Sequence, residues 1–199
     1  MYPDILSKTI EYFKKFNGIG EKTAERLSMS VLDMTKEDVV NFAKSINELK
    51  DNITYCKICG HITDKDFCNI CSSNVRNNNL ICVVEDYKSV FMFEKSGNYD
   101  GKYHVLNGVI SPIDGITPDE LNIASLIDRI SKLEGDIEVI IALKPSIEGE
   151  ATTLYLKKIL EKYNVKITRL SYGIPMGGDI EYLDPIMISK AWDDRKVIS

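Results

Sequence analysis

Apolar residues keep three different rhythms along this 199-residue chain. Up to about Lys50 they recur at three-to-four spacing, as amphipathic helices require. From Tyr55 to about Arg76 they give way to cysteines and turn residues, and beyond that short apolar runs alternate with helical stretches. Leu80-Ile81-Cys82-Val83-Val84 predicts a buried strand, with Cys82 as a small core residue, and Tyr103 to Leu106, Ile137 to Leu143 and Val165 to Leu170 repeat the theme. Between them, Pro118-Asp119-Glu120 predicts a helix start with its acids in the first turn, and Glu150 to Tyr163 predicts a second helix. Strand alternating with helix implies a mainly parallel, covered sheet. The polar run Arg76-Asn77-Asn78-Asn79 reads as a linker too short to let its flanks tumble freely.

Composition bounds the class. With 44% hydrophobic residues the chain can fill a sizeable core. No apolar run approaches the roughly 18 residues of a membrane helix, and Met1-Tyr2-Pro3-Asp4 lacks a signal-peptide pattern, so a cytosolic protein is expected. Thiols are kept reduced there, and four of the five cysteines crowd into sixteen residues, which favours metal ligation over disulfides. The net charge of -5 is uneven: residues 1–50 hold eight basic and eight acidic side chains, whereas residues 80–199 hold fourteen against nineteen. A neutral amino-terminal region can still bind phosphates through helix-end N–H groups.

Cys56-x2-Cys59 and Cys68-x2-Cys71 form two knuckles, each able to present two thiolates to one tetrahedral ion. Gly60 after the first pair and Ser72-Ser73-Asn74 after the second supply the tight turns. Zinc is the favoured metal, and iron with the same ligands fits the pattern too. Four thiolates close the shell, so the ion is expected to fold the segment and not to catalyse. His61 is read as exposed or as standing just outside the ligand ring.

Phe16-Asn17-Gly18-Ile19-Gly20-Glu21-Lys22-Thr23-Ala24 lies between two helical patterns, and Gly18 and Gly20 permit a turn that points backbone N–H groups outward. Lys22 and Arg26, four apart, share a helix face that can flank a phosphate backbone, and Thr23 adds a hydroxyl. A P-loop is excluded, because Glu21 separates Gly20 from Lys22 and the preceding residues look helical.

The order of motifs resembles one family from end to end: Gly18-Ile19-Gly20-x-Lys22-Thr23-Ala24-x-Arg26-Leu27, the four-cysteine knot, and Ile81-Cys82-Val83-Val84-Glu85. Tyr103-His104-Val105-Leu106-x-Gly108, Ser111-Pro112, Glu148-Gly149-Glu150-Ala151-Thr152 and Gly173-Ile174-Pro175-x-Gly177-Gly178 follow. The chain is similar to the bacterial recombination mediators of the RecR family. That resemblance implies an α+β protein of several modules: a helix-hairpin-helix at 1–54, a four-cysteine zinc finger at 55–76, a Toprim α/β domain with a mainly parallel sheet at 79–172, and a C-terminal helical segment for oligomerisation at 173–199. It further implies that subunits pair through both ends into a ring-like tetramer around DNA. Acting with RecO, and in some settings RecF, such rings help load RecA onto single strands coated by single-strand-binding protein. Lys22 and Arg26 become DNA contacts and Cys56, Cys59, Cys68 and Cys71 the zinc ligands. Asn17 and Glu21 stand where the family often has prolines, which places an acid near the DNA face. Ala142-Leu143-Lys144-Pro145 and Met187-Ile188-Ser189 also depart from the usual patterns.

Toprim enzymes hold magnesium on carboxylates at strand ends. Here Glu85 after the first strand and Glu148 and Glu150 after the third make a partial set at the carboxyl edge of the sheet. They could hold magnesium, or serve as a docking surface for a basic partner such as RecO. Binding without turnover is expected, with a magnesium-dependent nuclease and an ATP-driven factor as the competing classes. Ile180-Glu181-Tyr182-Leu183-Asp184 faintly resembles a Walker B strand, but with no P-loop the segment from Gly173 to Asp179 is expected to serve subunit contact.

Overall fold

The computed structural model describes residues 2–171, 173–174, 177, 179–195 and 197. They form two units, the first ending at Ile53 and the second beginning at Thr54. In the first, α1 (Asp4–Lys14) packs on α2 (Glu21–Leu32), and α3 (Lys36–Asn52) follows. Ile10 is the buried residue of α1; on α2 the small residues Ala24 and Ser28, four apart, are both buried, and the Ser28 hydroxyl donates back to the Ala24 carbonyl at 2.8 Å. Thr35 starts α3 by accepting a hydrogen bond from the Asp38 amide. No side chain of α3 is buried.

The second unit opens with a short antiparallel hairpin, β1 (Thr54–Tyr55) and β2 (Ile62–Thr63), and the one-turn α4 (Asn69–Ser72). An all-parallel sheet follows: β3 (Asn77–Val84), β4 (Gly101–Val105), β5 (Ile137–Ala142) and β6 (Val165–Arg169), in the order β4-β3-β5-β6. Side-chain alternation along β3 sends Ile81 and Val83 into a core with Leu126 and Ile130 of α6 (Ile123–Ser131) and Leu156 and Leu160 of α7 (Ile147–Leu160). Cys82 and Val84 face the other way, onto Val90 of α5 (Tyr87–Ser96), Tyr103 and Val105. Each such fully buried aliphatic side chain contributes about 2 kcal/mol. Burial pushes the Cys82 thiol up to about 12, in keeping with its reading as a core residue.

Two expectations need correction. The run 76–79 is no linker: Asn77–Asn79 open β3, Arg76 forks onto Glu94 at 2.9 and 2.5 Å, and the Asn79 side chain donates to the Glu134 carbonyl. Long-range partners recruit a polar run that has no strand pattern of its own. Pro118–Glu120 forms a separate 3-10 turn closed by Thr117 and Glu120, and α6 starts only at Ile123, so the two acids lie outside its first turn. In the C-terminal segment, in keeping with its expected helical character, Ile180–Tyr182 forms a 3-10 turn, and Asp184 caps α8 (Pro185–Asp193) by accepting from the Ile186 amide at 2.8 Å. Of the Gly173 to Asp179 segment, Pro175, Met176 and Gly178 lie outside the described residues, and its expected subunit contact with them.

His104 sits fully buried on β4 with Nε2 2.7 Å from the Asn122 carbonyl, which can only accept, so Nε2 carries the proton and Nδ1 finds no protein partner. Burial lowers its pKa from 6.5 to about 4. The unfolded chain therefore binds more protons in that window, and stability complete above it is lost as pH falls toward 4. Chemical denaturation of the parent is expected to show about 2 kcal/mol lost between pH 7.5 and pH 5 beyond what His104→Gln loses.

Candidate functional site

The hairpin turn carries Cys56 and Cys59, and α4 with its N-cap carries Cys71 and Cys68. All four Sγ atoms lie within 4.8 Å of one another. The Cys59 to Cys68 separation of 3.7 Å matches the edge of a tetrahedron with metal–sulfur bonds of about 2.3 Å. Amides of His61, Cys68 and Cys71 donate to Cys59, Cys56 and Cys68 sulfurs at 3.5, 3.3 and 3.4 Å, which stabilises thiolates. Hydrogen bonds from Cys59 and then Cys71 hold Cys68 far below the ordinary thiol range, while the Cys68 bond and burial push Cys59 up. One sulfur thus already favours negative charge, and a bound cation favours it on all four. The donor set fits zinc, with no open coordination position for chemistry.

The knot is seated on β4 by Lys102, which the sequence patterns did not single out, and by Val105 and Gly60, which they did. Lys102, the second residue of β4, is buried, and its Nζ donates to the carbonyls of Ile70, Cys71 and Ser73 at 2.7, 3.2 and 2.6 Å. The Val105 amide donates to the Cys59 carbonyl at 2.7 Å. Gly60 turns with φ +73°, and a Cβ there would lie 2.9 Å from the Asn122 side-chain nitrogen and 3.1 Å from the Val105 carbonyl oxygen. His61 is not exposed: it is buried with its ring edge-on to Phe91 at 4.9 Å, so of the two readings the place just outside the ligand ring holds. A lysine inside a strand carries no signal of this role, because its partners are main-chain carbonyls thirty residues away.

In the first unit, Gly18 adopts φ +81° at the tip of the turn between α1 and α2, and Gly20 is the N-cap of α2 with no side chain closing its first turn. Nothing lies within 4 Å of the Cβ position at either glycine, so the backbone is open to approach. Lys22 and Arg26 lie on α2, with Thr23 half-buried beside them. The acid at Glu21 is held by Lys14 at 2.7 Å, and Lys14 also meets Glu11 at 2.9 Å; these two acids, Glu11 first, raise the Lys14 pKa. Glu21 is therefore partly neutralised beside the hairpin, with one lysine shared between two acids.

The three Toprim acids end near the carboxyl edge of the sheet, where strand order reverses between β3 and β5. Glu85 pairs with Lys144 at 3.1 Å and lines a pocket of about 440 Å³ with it. Glu150 meets Lys190 of α8 at 3.1 Å and Arg169 at 3.4 Å, and Arg169 reaches Asp194. The Glu148 carboxyl is held below its ordinary pKa by its own amide and then the Ser146 hydroxyl. Gly149 between them is required, because a Cβ there would run into the Lys144 carbonyl. Among the described residues the four cysteines are the one group of three or more ligands whose donor atoms gather closely enough to hold a metal ion together.

Comparison with known proteins follows the same segments. Residues 6–50 match the family described as RecR, helix-hairpin-helix, residues 53–73 the RecR four-cysteine zinc finger domain, residues 79–171 the Toprim domain, and residues 173–196 the RecR C-terminal family. Recombination protein RecR of Staphylococcus aureus is 48% identical over 194 residues, covering 98% of both chains. That of Staphylococcus haemolyticus is 49% identical over 190 residues, covering 96% of both. The chain belongs to the RecR family. Membership makes it a protein of recombinational DNA repair with a four-cysteine zinc finger, and the ring of thiolates is the RecR zinc-finger site. Among the described residues no helix is long and apolar enough to cross a membrane.

The thiolate geometry sets an expected outcome. Elemental analysis should find one zinc per chain, falling close to none in Cys59→Ser/Cys68→Ser. Gly60→Ala should keep the four ligands yet lose at least about 1 kcal/mol in denaturant titration, from positive φ and the close approach of Asn122 and Val105.

Proposed function

We propose that the protein is a DNA-binding recombination mediator, assembled from several copies into a ring-like clamp and acting with RecO, and in some settings RecF, to help load RecA onto single-stranded DNA coated by single-strand-binding protein. The observation that carries this reading is end-to-end RecR similarity, at 48% identity over 98% of the chain. Its role is binding, without turnover, in the cytoplasm and on the nucleoid.

DNA contact falls to the hairpin. Gly18 and Gly20 offer accessible main-chain N–H groups, Lys22 and Arg26 flank them with cations, and Thr23 adds a hydroxyl. Self-association is supported by the apolar face of the first unit: Phe42, Ile46 and Leu49 recur along α3 at four-and-three spacing, each more than 40% exposed. Tyr12, Phe13 and Phe16 complete a groove of about 410 Å³ with Phe42 and Ile46. An apolar face of this kind is what a dimer or tetramer contact covers.

The acids Glu85, Glu148 and Glu150 serve as a docking edge for a basic partner, RecO in this reading. Glu85 and Glu150 already sit beside Lys144, Lys190 and Arg169, so cations of another protein can take over the same pairing. Magnesium at these acids is the other outcome of the test.

Lys22→Ala and Arg26→Ala should each weaken DNA binding and reduce the slope of log affinity against log salt by about one for each phosphate no longer neutralised. Unchanged slopes would remove the hairpin from the interface. Glu85→Gln with Glu150→Gln should weaken RecO binding in a pull-down titration; unaltered RecO binding, with calorimetric magnesium binding abolished, would assign the acids to the metal instead.

A further inference from the structure

β4 is an edge of the four-stranded sheet, and an edge strand normally leaves a row of main-chain donors and acceptors open to any other strand. All five of its residues are nevertheless buried. Side chains from within the α/β domain close part of that edge: Arg129 donates to the Tyr103 carbonyl at 2.7 Å and Asn122 to the Val105 carbonyl at 3.1 Å. Arg76 donates to the Gly101 carbonyl at 3.1 Å, and the metal knot covers the edge further by taking the Val105 amide and the Lys102 side chain. The Cys59 carbonyl accepts from the Val105 amide, and the carbonyls of Ile70, Cys71 and Ser73 receive the Lys102 ammonium, which spends its three N–H donors on them.

Two of these four carbonyls belong to cysteines of the thiolate ring. The knot itself has two-residue strands, one four-residue helical turn and a buried cluster made of its own cysteines and Ile70. A few turn hydrogen bonds and the packing of Ile70 on the β3 and β4 core help hold those carbonyls, and a bound ion adds the covalent-strength tie between the two cysteine pairs.

We propose that the four-cysteine knot is the edge guard of the sheet, with Lys102 as the latch that couples metal occupancy to the order of β4. Zinc bound to the ring fixes the Cys59 and Cys71 carbonyls, and these keep β4 closed to strand pairing. Loss of zinc frees the edge while β6, at the opposite side of the sheet, keeps its own contacts. Coupling of this kind is reciprocal, so weakening the Lys102 contact must weaken zinc retention by the same factor as zinc stabilises the latch.

The test starts from zinc-loaded full-length protein whose metal content has been measured; material holding no zinc would overturn the proposal at once. Hydrogen exchange is followed by mass spectrometry before and after zinc is removed by a chelator under reducing conditions. Faster exchange is expected in peptides spanning 69–73 and 101–105, with 165–169 still protected. Unchanged protection at 101–105, or equal loss over all four strands, would overturn it. Lys102→Met keeps the apolar stem and removes the ammonium, and is expected to lower zinc affinity about 10- to 100-fold in competition with a chromogenic chelator. Parent-like affinity would remove the latch. Should that variant fold poorly, Lys102→Leu, which also removes the donor, is measured in its place against the same two outcomes.

Discussion

Four sulfur atoms within 4.8 Å of one another are the constraint around which the second unit is arranged. Four thiolates at that spacing repel unless a cation or shared protons neutralise them, and the amides aimed at three of the sulfurs show a main chain already shaped for negative charge there. Once closed, the ring gives fixed positions to main-chain groups that have no helix or sheet of useful length to hold them. Those groups then seat β4 through Lys102 and Val105. β4 in turn completes the sheet whose two faces bury Ile81 and Val83 on one side and Cys82 and Val84 on the other. A small metal site thereby bears on an α/β core several times its size.

The hairpin of the first unit works by the opposite strategy. Where the knot fills every coordination position, the start of α2 leaves its first-turn amides without a side-chain cap and its glycines without neighbours. Its charges are arranged in the same sense: Lys14 takes up Glu21 and Glu11, so Lys22 and Arg26 stand without an opposing acid from that pair. The Toprim acids show the same management of charge, with Lys144 on Glu85 and Lys190 and Arg169 on Glu150. A chain of net charge -5 can in this way present a cationic contact at one place and half-neutralised acids at another.

Much of this was legible from residue order. Cysteine pairs at two-residue spacing announce a tetrahedral site because chelate geometry limits the ways two thiolates can reach one ion. Apolar runs announced the four strands because a parallel sheet covered on both faces must be apolar throughout. The start of β3 was missed, since Asn77–Asn79 carry no strand pattern and the run from Arg76 is held by partners at Glu94, Asp100 and Glu134. The turn at Pro118 carries the signature of a helix start without being one, because a capping box and proline look alike before a 3-10 turn and before an α-helix.

Sequence alone determined the order of modules, the metal ligands and the glycine hairpin, all of which depend on residues close together in the chain, where local geometry leaves few alternatives. Tertiary structure decided which charges face which and what closes the sheet. Lys102 finds its carbonyls some thirty residues away and Glu150 finds Lys190 forty residues away. Such pairings exist only once the sheet has brought its edges and strand ends together, and no periodicity records them.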